Sequence, residues 1–212
     1  IYNDLMLKIR GIKDPLIYVD DLWSPRLWKE EDLPKNRYVP VAVAEDSRIV
    51  ASSLVISRRS KRNFEDFIIN LKNKLLELPK TIRGDKLKAQ ENAVRKYFPP
   101  TVNFDFRALK RWEKGEFMGI IERRIRSLRE TIHKGEKFGS EQTLQDYTIV
   151  ATVYQNFMST MNVLNNQTPA QHIGIPYPWK EGDWGLFNRW VHHTLKKIPK
   201  VLEIMCINPA NL

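Results

Sequence analysis

The sequence of 212 residues predicts a mainly α, multi-helix domain with a small N-terminal β-hairpin. The first observation is the stretch 38–57, which is dense in β-branched residues and interrupted by the turn formers Glu45, Asp46 and Ser47. The second is that apolar residues after this stretch recur every three or four positions, the period of a helix. The third is a composition of 42% hydrophobic and 28% charged residues, typical of a folded globular protein.

The chain divides into two segments in this prediction. Residues 1–57 form an N-terminal segment with a short helix and the β-hairpin. Ser24 and Pro25 start that helix, because a hydroxyl caps the first turn and proline is tolerated at the first helical position. Residues 58–212 form a helical domain, and the two segments are compatible with one continuous domain.

Apolar spacing, capping residues and prolines predict the helices of the second segment. These helices cover 64–78, 84–97, 104–112, 116–134 and 141–164, and two more begin near Thr168 and Asp183. The helix at 141–164 has apolar residues around most of its circumference. Glu141 and Asp146 are the charged residues of 140–179, so we expect the central helix of the domain here or a contact surface between subunits.

The positive charge of the chain is concentrated in its middle. The net charge is +10, and residues 58–137 contain 22 basic and 11 acidic residues, whereas the segments on either side are close to neutral. A basic block between neutral segments attracts a polyanion, and nucleic acid is the commonest such partner. The alternative interpretation is a set of solvated helix faces that carry a surplus of lysine and arginine.

Eleven basic side chains of this block are candidate nucleic-acid contacts. They are Arg58, Arg59, Lys61, Arg62, Arg107, Lys110, Arg111, Lys114, Arg123, Arg126 and Arg129. Such groups neutralise phosphates without reading bases. Trp112 lies among them and could stack on an unpaired base, although a tryptophan beside arginines more often packs into a core.

These observations favour a non-enzymatic structural protein that coats or scaffolds nucleic acid with little sequence specificity. A nucleocapsid or coat protein, or a component of a ribonucleoprotein, has this division between a basic face and an uncharged assembly segment. We expect RNA to be preferred over DNA, no cofactor, and a homo-oligomer or larger assembly that forms through 140–179.

Two other functions remain open. One is a metal-dependent nuclease that uses the N-terminal carboxylates Asp20, Asp21, Glu45 and Asp46, since two-metal phosphodiester chemistry needs clustered acids. The string 16–22 also resembles the metal-binding hairpin of reverse transcriptases, but the sequence after it does not supply a second strand. The other is a protein scaffold whose basic block binds an acidic partner.

The remaining features exclude several classes of protein. The single cysteine, Cys206, excludes an internal disulfide framework and a CxxC site, so we expect a reducing intracellular compartment or the interior of a nucleoprotein particle. The four histidines lack the spacing of a zinc site. No apolar run is long enough to span a membrane, and the opening at Ile1 carries no secretory signal pattern, which suggests a processed N-terminus.

Overall fold

The computed structural model describes residues 11–23, 37–107, 118–134, 138 and 140–175. The strands are β1 (Leu16–Trp23), β2 (Tyr38–Ala44), β3 (Val50–Ser53), β4 (Thr81–Asp85) and β5 (Asn103–Arg107). The helices are α1 (Lys61–Lys72), α2 (Lys88–Tyr97), α3 (Gly119–Lys134), α4 (Glu141–Phe157) and the short α5 (Pro169–His172), with one 3-10 turn at Asn162–Leu164.

The five strands form one mixed sheet in the order β3-β2-β1-β4-β5. β2 is antiparallel to both of its neighbours, β1 and β3, whereas β4 is parallel to both β1 and β5. Parallel neighbours need a long crossover connection, and α2 provides it between β4 and β5. As a result, the carboxyl ends of β1, β4 and β5 lie at the same edge of the sheet.

Helices cover both faces of the sheet. Ser52 and Ser53 are consecutive residues of β3, so their side chains point to opposite faces. The hydroxyl of Ser52 donates to Oδ1 of Asn70 in α1 at 3.0 Å, whereas the hydroxyls of Ser53 and of Thr152 in α4 are 3.0 Å apart. Because α1 packs against α2 and α3 packs against α4, the sheet has an α1 face and an α4 face.

The core lies in both layers between sheet and helices. Ile17 and Val19 of β1 are buried on one face, and Tyr18 and Leu22 on the other. A strand that is buried on both faces has an almost continuous apolar sequence, so the alternation typical of a half-exposed strand is absent. In α1 the predicted stripe is buried at Phe64, Phe67, Ile68 and Leu71, but the helix predicted over 64–78 ends at Lys72, and Leu78 is exposed.

The prediction of a mainly α fold is wrong, because the sheet has strands where the sequence predicts helices. The predicted helix over 84–97 begins only at Lys88, since Gly84 and Asp85 end β4. The region 104–112, predicted to be helical, contains β5 instead. Both strands have five residues, too few to show a period, and their pairing with neighbouring strands decides their structure.

Other predicted elements are present in the structure. β2 and β3 form the antiparallel pair expected around Glu45, Asp46 and Ser47, and α3 lies within the predicted 116–134. The helix predicted at 141–164 ends at Phe157, and ten of the 17 residues of α4 are buried, as in a central helix. Thr168 caps α5. The helices predicted near Ser24 and Asp183 lie outside the described residues, and no helix within those residues has the length and apolarity to cross a membrane.

Candidate active site

Asp20 and Asp85 lie side by side on two neighbouring parallel strands. The register of β1 and β4 aligns Val19 with Gly84, so the two aspartates that follow occupy adjacent positions. Neighbouring strands are separated by about 4.8 Å in a sheet. The fold therefore brings together two carboxylates that are far apart in the sequence.

Both aspartates are on the α4 face. Asp20 is aligned with Val41, and Val41 is aligned with Ser53. Aligned residues of neighbouring strands point to the same face of the sheet. Because the hydroxyl of Ser53 meets Thr152 of α4, Asp20 points to the α4 face, and Asp85 does the same through its alignment beside Asp20.

Asp20 is almost fully buried. Its side chain is 7% exposed, and its Oδ1 accepts a hydrogen bond from the backbone N–H of Asp21 at 2.8 Å. Asp85 is half-buried at the end of β4. Burial of a carboxylate is costly, and a second carboxylate on the next strand adds repulsion between like charges. In open α/β sheets, ligands bind beyond the carboxyl ends of the parallel strands, so the position of the pair makes it a candidate functional site.

A third carboxylate comes from α3. Glu122 is in the first turn of this helix, which packs against β1 and β2 on the α4 face. The buried stripe of α3 contains Ile121, Ile125 and Leu128. With 3.6 residues per turn, Glu122 lies beside this stripe, and it is half-buried at the margin between helix and solvent.

Gly84 sets the separation of the two strands that carry the aspartates. A Cβ atom at this position would be 2.9 Å from the carbonyl oxygen of Val19 and 2.7 Å from Cε1 of Phe106. The backbone contact cannot be relieved by a rotation of a side chain. β4 therefore approaches β1 this closely only with glycine before Asp85.

The donor chemistry of this site suits a hard divalent cation. Carboxylate oxygens are the ligands that Mg²⁺ prefers in proteins, and a cation between Asp20 and Asp85 would remove their mutual repulsion. Within the described ranges, no three histidine, cysteine, aspartate or glutamate side chains are close enough to hold a metal ion. Asp20 and Asp85 would therefore supply two protein ligands at most, and Glu122 does not complete a group of three with them.

A row of polar groups continues from the aspartates along the α4 face. The hydroxyl of Tyr18 donates to Oε1 of Glu45 at 2.9 Å. Arg83 lies 5.6 Å from the centre of the Tyr18 ring, and its Nε is 3.3 Å from Oδ2 of Asp105. Burial raises the pKa of Tyr18, the hydrogen bond and charge of Glu45 raise it further, and Arg83 opposes this shift.

The carboxylates expected for a nuclease do not form one cluster. Asp21 follows Asp20 and so points to the α1 face, where its Oδ2 is 2.7 Å from Nε of Arg59. Glu45 and Asp46 are in the turn after β2, and the backbone N–H of Asp46 donates to Oδ1 of Asp14 at 2.6 Å. Of the four, Asp20 is the one that lies beside Asp85.

The sequence-based predictions do not include Asp85 or Glu122 among the candidate site residues. They place Gly84 and Asp85 at the start of a helix and give Glu122 no role. An aspartate that directly follows a short β-branched and glycine-containing stretch is the signal that could have indicated Asp85. No signal in the sequence indicates Glu122 without knowledge of which helix packs on β1.

The predicted nucleic-acid contacts are divided between the two layers. Arg58, Arg59, Lys61 and Arg62 are exposed before α1 and in its first turn. Arg123, Arg126 and Arg129 are exposed on α3, on the other side of the sheet. Arg107 ends β5 and pairs with Asp105. Lys110, Arg111, Trp112 and Lys114 lie outside the described residues. The predicted contacts that lie within the described ranges therefore do not form one continuous face.

The fold is similar to that of retroviral integrases. No protein-family model and no curated protein sequence match this chain. The catalytic core domain of BIV integrase has a TM-score of 0.51 at 17% identity, covering 74% of this chain and 92% of that domain. A chain of the simian T-cell lymphotropic virus intasome, solved in complex with PP2A regulatory subunit B56 gamma, has a TM-score of 0.52 at 15% identity. That match covers 80% of this chain and 58% of the intasome chain.

A further match is the HTLV-2 integrase catalytic core domain in complex with magnesium, with a TM-score of 0.49 at 16% identity over 76% of this chain and 98% of that one. The expectation of a non-enzymatic nucleocapsid or coat protein is wrong, because the solved structures that match this fold are those of integrases. The preference for RNA has no support in these matches. The chain has instead the mixed α/β fold, of the RNase H-like type, that is found in retroviral integrase catalytic cores.

Proposed function

We propose that this protein is a metal-dependent enzyme that breaks or joins phosphodiester bonds of nucleic acid, with DNA as the substrate to test first. The observation that carries the proposal is the adjacent placement of Asp20 and Asp85 on the α4 face. Catalytic cores of integrases share the fold, which supports the same reaction class. This proposal keeps the nuclease alternative and, of its four carboxylates, only Asp20. Asp85 and Glu122 take the place of the other three.

In this proposal the carboxylates have distinct positions. Asp20 and Asp85 hold Mg²⁺ or Mn²⁺ from the sheet, and Glu122 contributes a carboxylate from α3. A cation held there would supply Lewis acidity, polarising a phosphoryl oxygen and making a bound water or hydroxyl group a better nucleophile. The burial of Asp20 keeps its carboxylate in one orientation, because its Oδ1 is hydrogen-bonded to the backbone of Asp21.

The exposed arginines of α3 orient the substrate strand. Arg126 and Arg129 follow Glu122 by four and seven residues, so they lie on the same side of the helix as that carboxylate. Arginine binds phosphate through its planar fork, and these two side chains would hold the backbone beside Glu122 without selecting bases. Of the predicted contacts on α3, Arg126 and Arg129 therefore lie next to the site, whereas the cluster 58–62 lies in the other layer.

The test is cleavage or strand transfer of labelled duplex DNA in Mg²⁺ or Mn²⁺. Loss of several kcal/mol of transition-state stabilisation corresponds to at least about a hundredfold in rate, and we expect this loss for Asp20→Asn and Asp85→Asn. Glu122→Gln is expected to reduce the rate similarly. The matched control Glu130→Gln removes an exposed carboxylate from the same helix and should leave the rate within twofold of the starting protein. Full metal-dependent activity in Asp85→Asn would exclude the assignment.

A further inference from the structure

A cavity of about 360 Å³ lies beside α3, away from the carboxylates. Its walls come from α3, from the segment after α4 and from the turn between β2 and β3. They include Arg48, Arg123, Arg124, Ser159, Thr160 and Val163. This volume is in the range of small-molecule sites, so the cavity can hold a compact ligand.

The cavity and Glu122 are on opposite sides of α3. Glu122 lies on one side of the buried stripe that contains Ile121. Ile120, Arg124 and Ser127 line the cavity from the other side of that stripe. The cavity is therefore separate from the candidate active site, and nothing that enters it would contact Asp20 or Asp85 across the packed helix.

Arg124 forms the base of the cavity. It is 6% exposed, its Nε donates to the carbonyl oxygen of Arg48 at 3.0 Å, and its Nη2 donates to the carbonyl oxygen of Gln155 at 3.3 Å. These two bonds fix the plane of the guanidinium. Burial lowers the pKa of Arg124 to about 10, and the charge of Arg48 contributes to the same shift.

Arg48 adds a second guanidinium to the wall of the cavity. Its Nη1 is buried and has no hydrogen-bond partner among the residues that the structure describes. A buried donor without a partner costs about 1–3 kcal/mol, and two like charges held together add repulsion. Among the described residues that line the cavity none is acidic, so these residues provide no carboxylate to offset the two charges.

The rest of the lining provides both hydroxyl groups and apolar surface. Ser159 and Thr160 lie opposite the arginines along the chain that follows α4. Ile120, Met161 and Val163 form the apolar part. Guanidinium groups bind phosphate oxygens through paired N–H donors, hydroxyls add further donors, and an apolar wall suits the organic part of a ligand.

We propose that this cavity binds a phosphate ester, with its phosphate at Arg48, Arg123 and Arg124 and its organic part against the apolar wall. A free nucleotide and the phosphorylated end of a polynucleotide share this chemistry. Binding here requires neither a metal nor the two aspartates, so the proposal stands or falls separately from the proposed enzymatic function.

Isothermal titration calorimetry in EDTA tests the proposal on the whole protein. The ligands are a nucleoside 5′-monophosphate, the same nucleoside without phosphate, inorganic phosphate, and single-stranded oligonucleotides with and without a 5′-phosphate. We expect binding of the monophosphate and no binding of the nucleoside. A preference for the 5′-phosphorylated oligonucleotide over the free monophosphate would assign the site to polynucleotide ends, and the reverse preference would assign it to small molecules.

Three variants make the result specific to the cavity. Arg48→Gln keeps the backbone carbonyl that accepts from Arg124, and it should weaken phosphate binding at least tenfold. Arg123→Gln changes an exposed residue of α3, so the variant should fold normally. It should weaken binding at least threefold. The control Lys88→Gln removes one exposed charge from α2 and should bind within twofold. Equal binding by the starting protein, Arg48→Gln and Arg123→Gln, or no binding of any phosphate ligand, would overturn the proposal.

Discussion

Gly84 determines how close Asp85 comes to Asp20. Its missing Cβ leaves room for the carbonyl oxygen of Val19 and for the ring of Phe106. Gly84→Ala should therefore lower the free energy of unfolding by about 1–3 kcal/mol, since overpacking costs more than the entropy that alanine saves in the unfolded chain. Denaturant unfolding measures this change. The same variant should lose activity, because β4 moves away from β1.

Gly119→Ala is the matched control for that change. Gly119 begins α3, and a Cβ atom there would have no heavy atom within 4 Å. Alanine favours a helix over glycine by up to about 1 kcal/mol, so this variant should be unchanged or slightly more stable. If Gly84→Ala were as stable as Gly119→Ala, the close approach of β4 to β1 would not be the constraint that we infer.

At the scale of single residues, the sequence indicates part of the site. Asp20 could be named as a candidate because it lies in an apolar stretch, where a carboxylate is unusual. The sequence does not distinguish Asp20 from its neighbour Asp21. Successive side chains of a strand point to opposite faces, and only the pairing of β1 in the sheet shows which of the two points to the α4 face. Asp85 could not be identified, because its position beside Asp20 depends on the pairing of β4 with a strand more than 60 residues earlier.

Side chains of α4 form hydrogen bonds with the backbone at and beyond β3, which is the edge strand among the described residues. β3 is at the edge of the sheet, and the N–H of Val50 donates to Oδ1 of Asn156 at 2.8 Å. Nδ2 of Asn156 donates in return to the carbonyl oxygen of Val50 at 2.9 Å. The N–H of Val55 donates to Oε1 of Gln145 at 2.6 Å. These bonds cover an edge that would otherwise pair with other chains.

Asn156→Leu should lower the free energy of unfolding by about 2–4 kcal/mol, because both backbone groups of Val50 lose their partner in a buried place. Asn92→Leu, an exposed change on α2, should stay within about 0.5 kcal/mol. Thermal or denaturant unfolding of both variants measures the difference. Similar stability of the two variants would show that Asn156 does not hold α4 on β3.

At the scale of elements, the sequence predicts long amphipathic helices well and short strands poorly. α1 and α3 each present an apolar stripe over at least three turns, which is enough for the period of 3.6 to show. β4 and β5 are five residues long and contain Arg83, Asp85, Asp105 and Arg107. Such strands form because of their neighbours, and local sequence does not carry that information.

At the scale of the whole molecule, the sheet brings together residues that lie far apart in the sequence. The sequence indicates a basic middle segment, and Arg126 and Arg129 of α3 lie on the same side of the helix as Glu122. The centre that we propose, however, is acidic, and its residues come from β1, β4 and α3. Summed charge along the chain cannot show this, because the order of strands in the sheet is not the order in the sequence.

The central claim is that Asp20 and Asp85 together bind a divalent cation. The most direct measurement is a Mn²⁺ titration in which electron paramagnetic resonance reports the free ion. We predict that the protein binds Mn²⁺, that Asp20→Asn and Asp85→Asn each weaken binding about tenfold or more, and that Asp46→Asn does not change it. If Asp85→Asn bound Mn²⁺ as well as the starting protein, or if Asp46→Asn abolished binding, the metal site would not be where the sheet brings the two aspartates together.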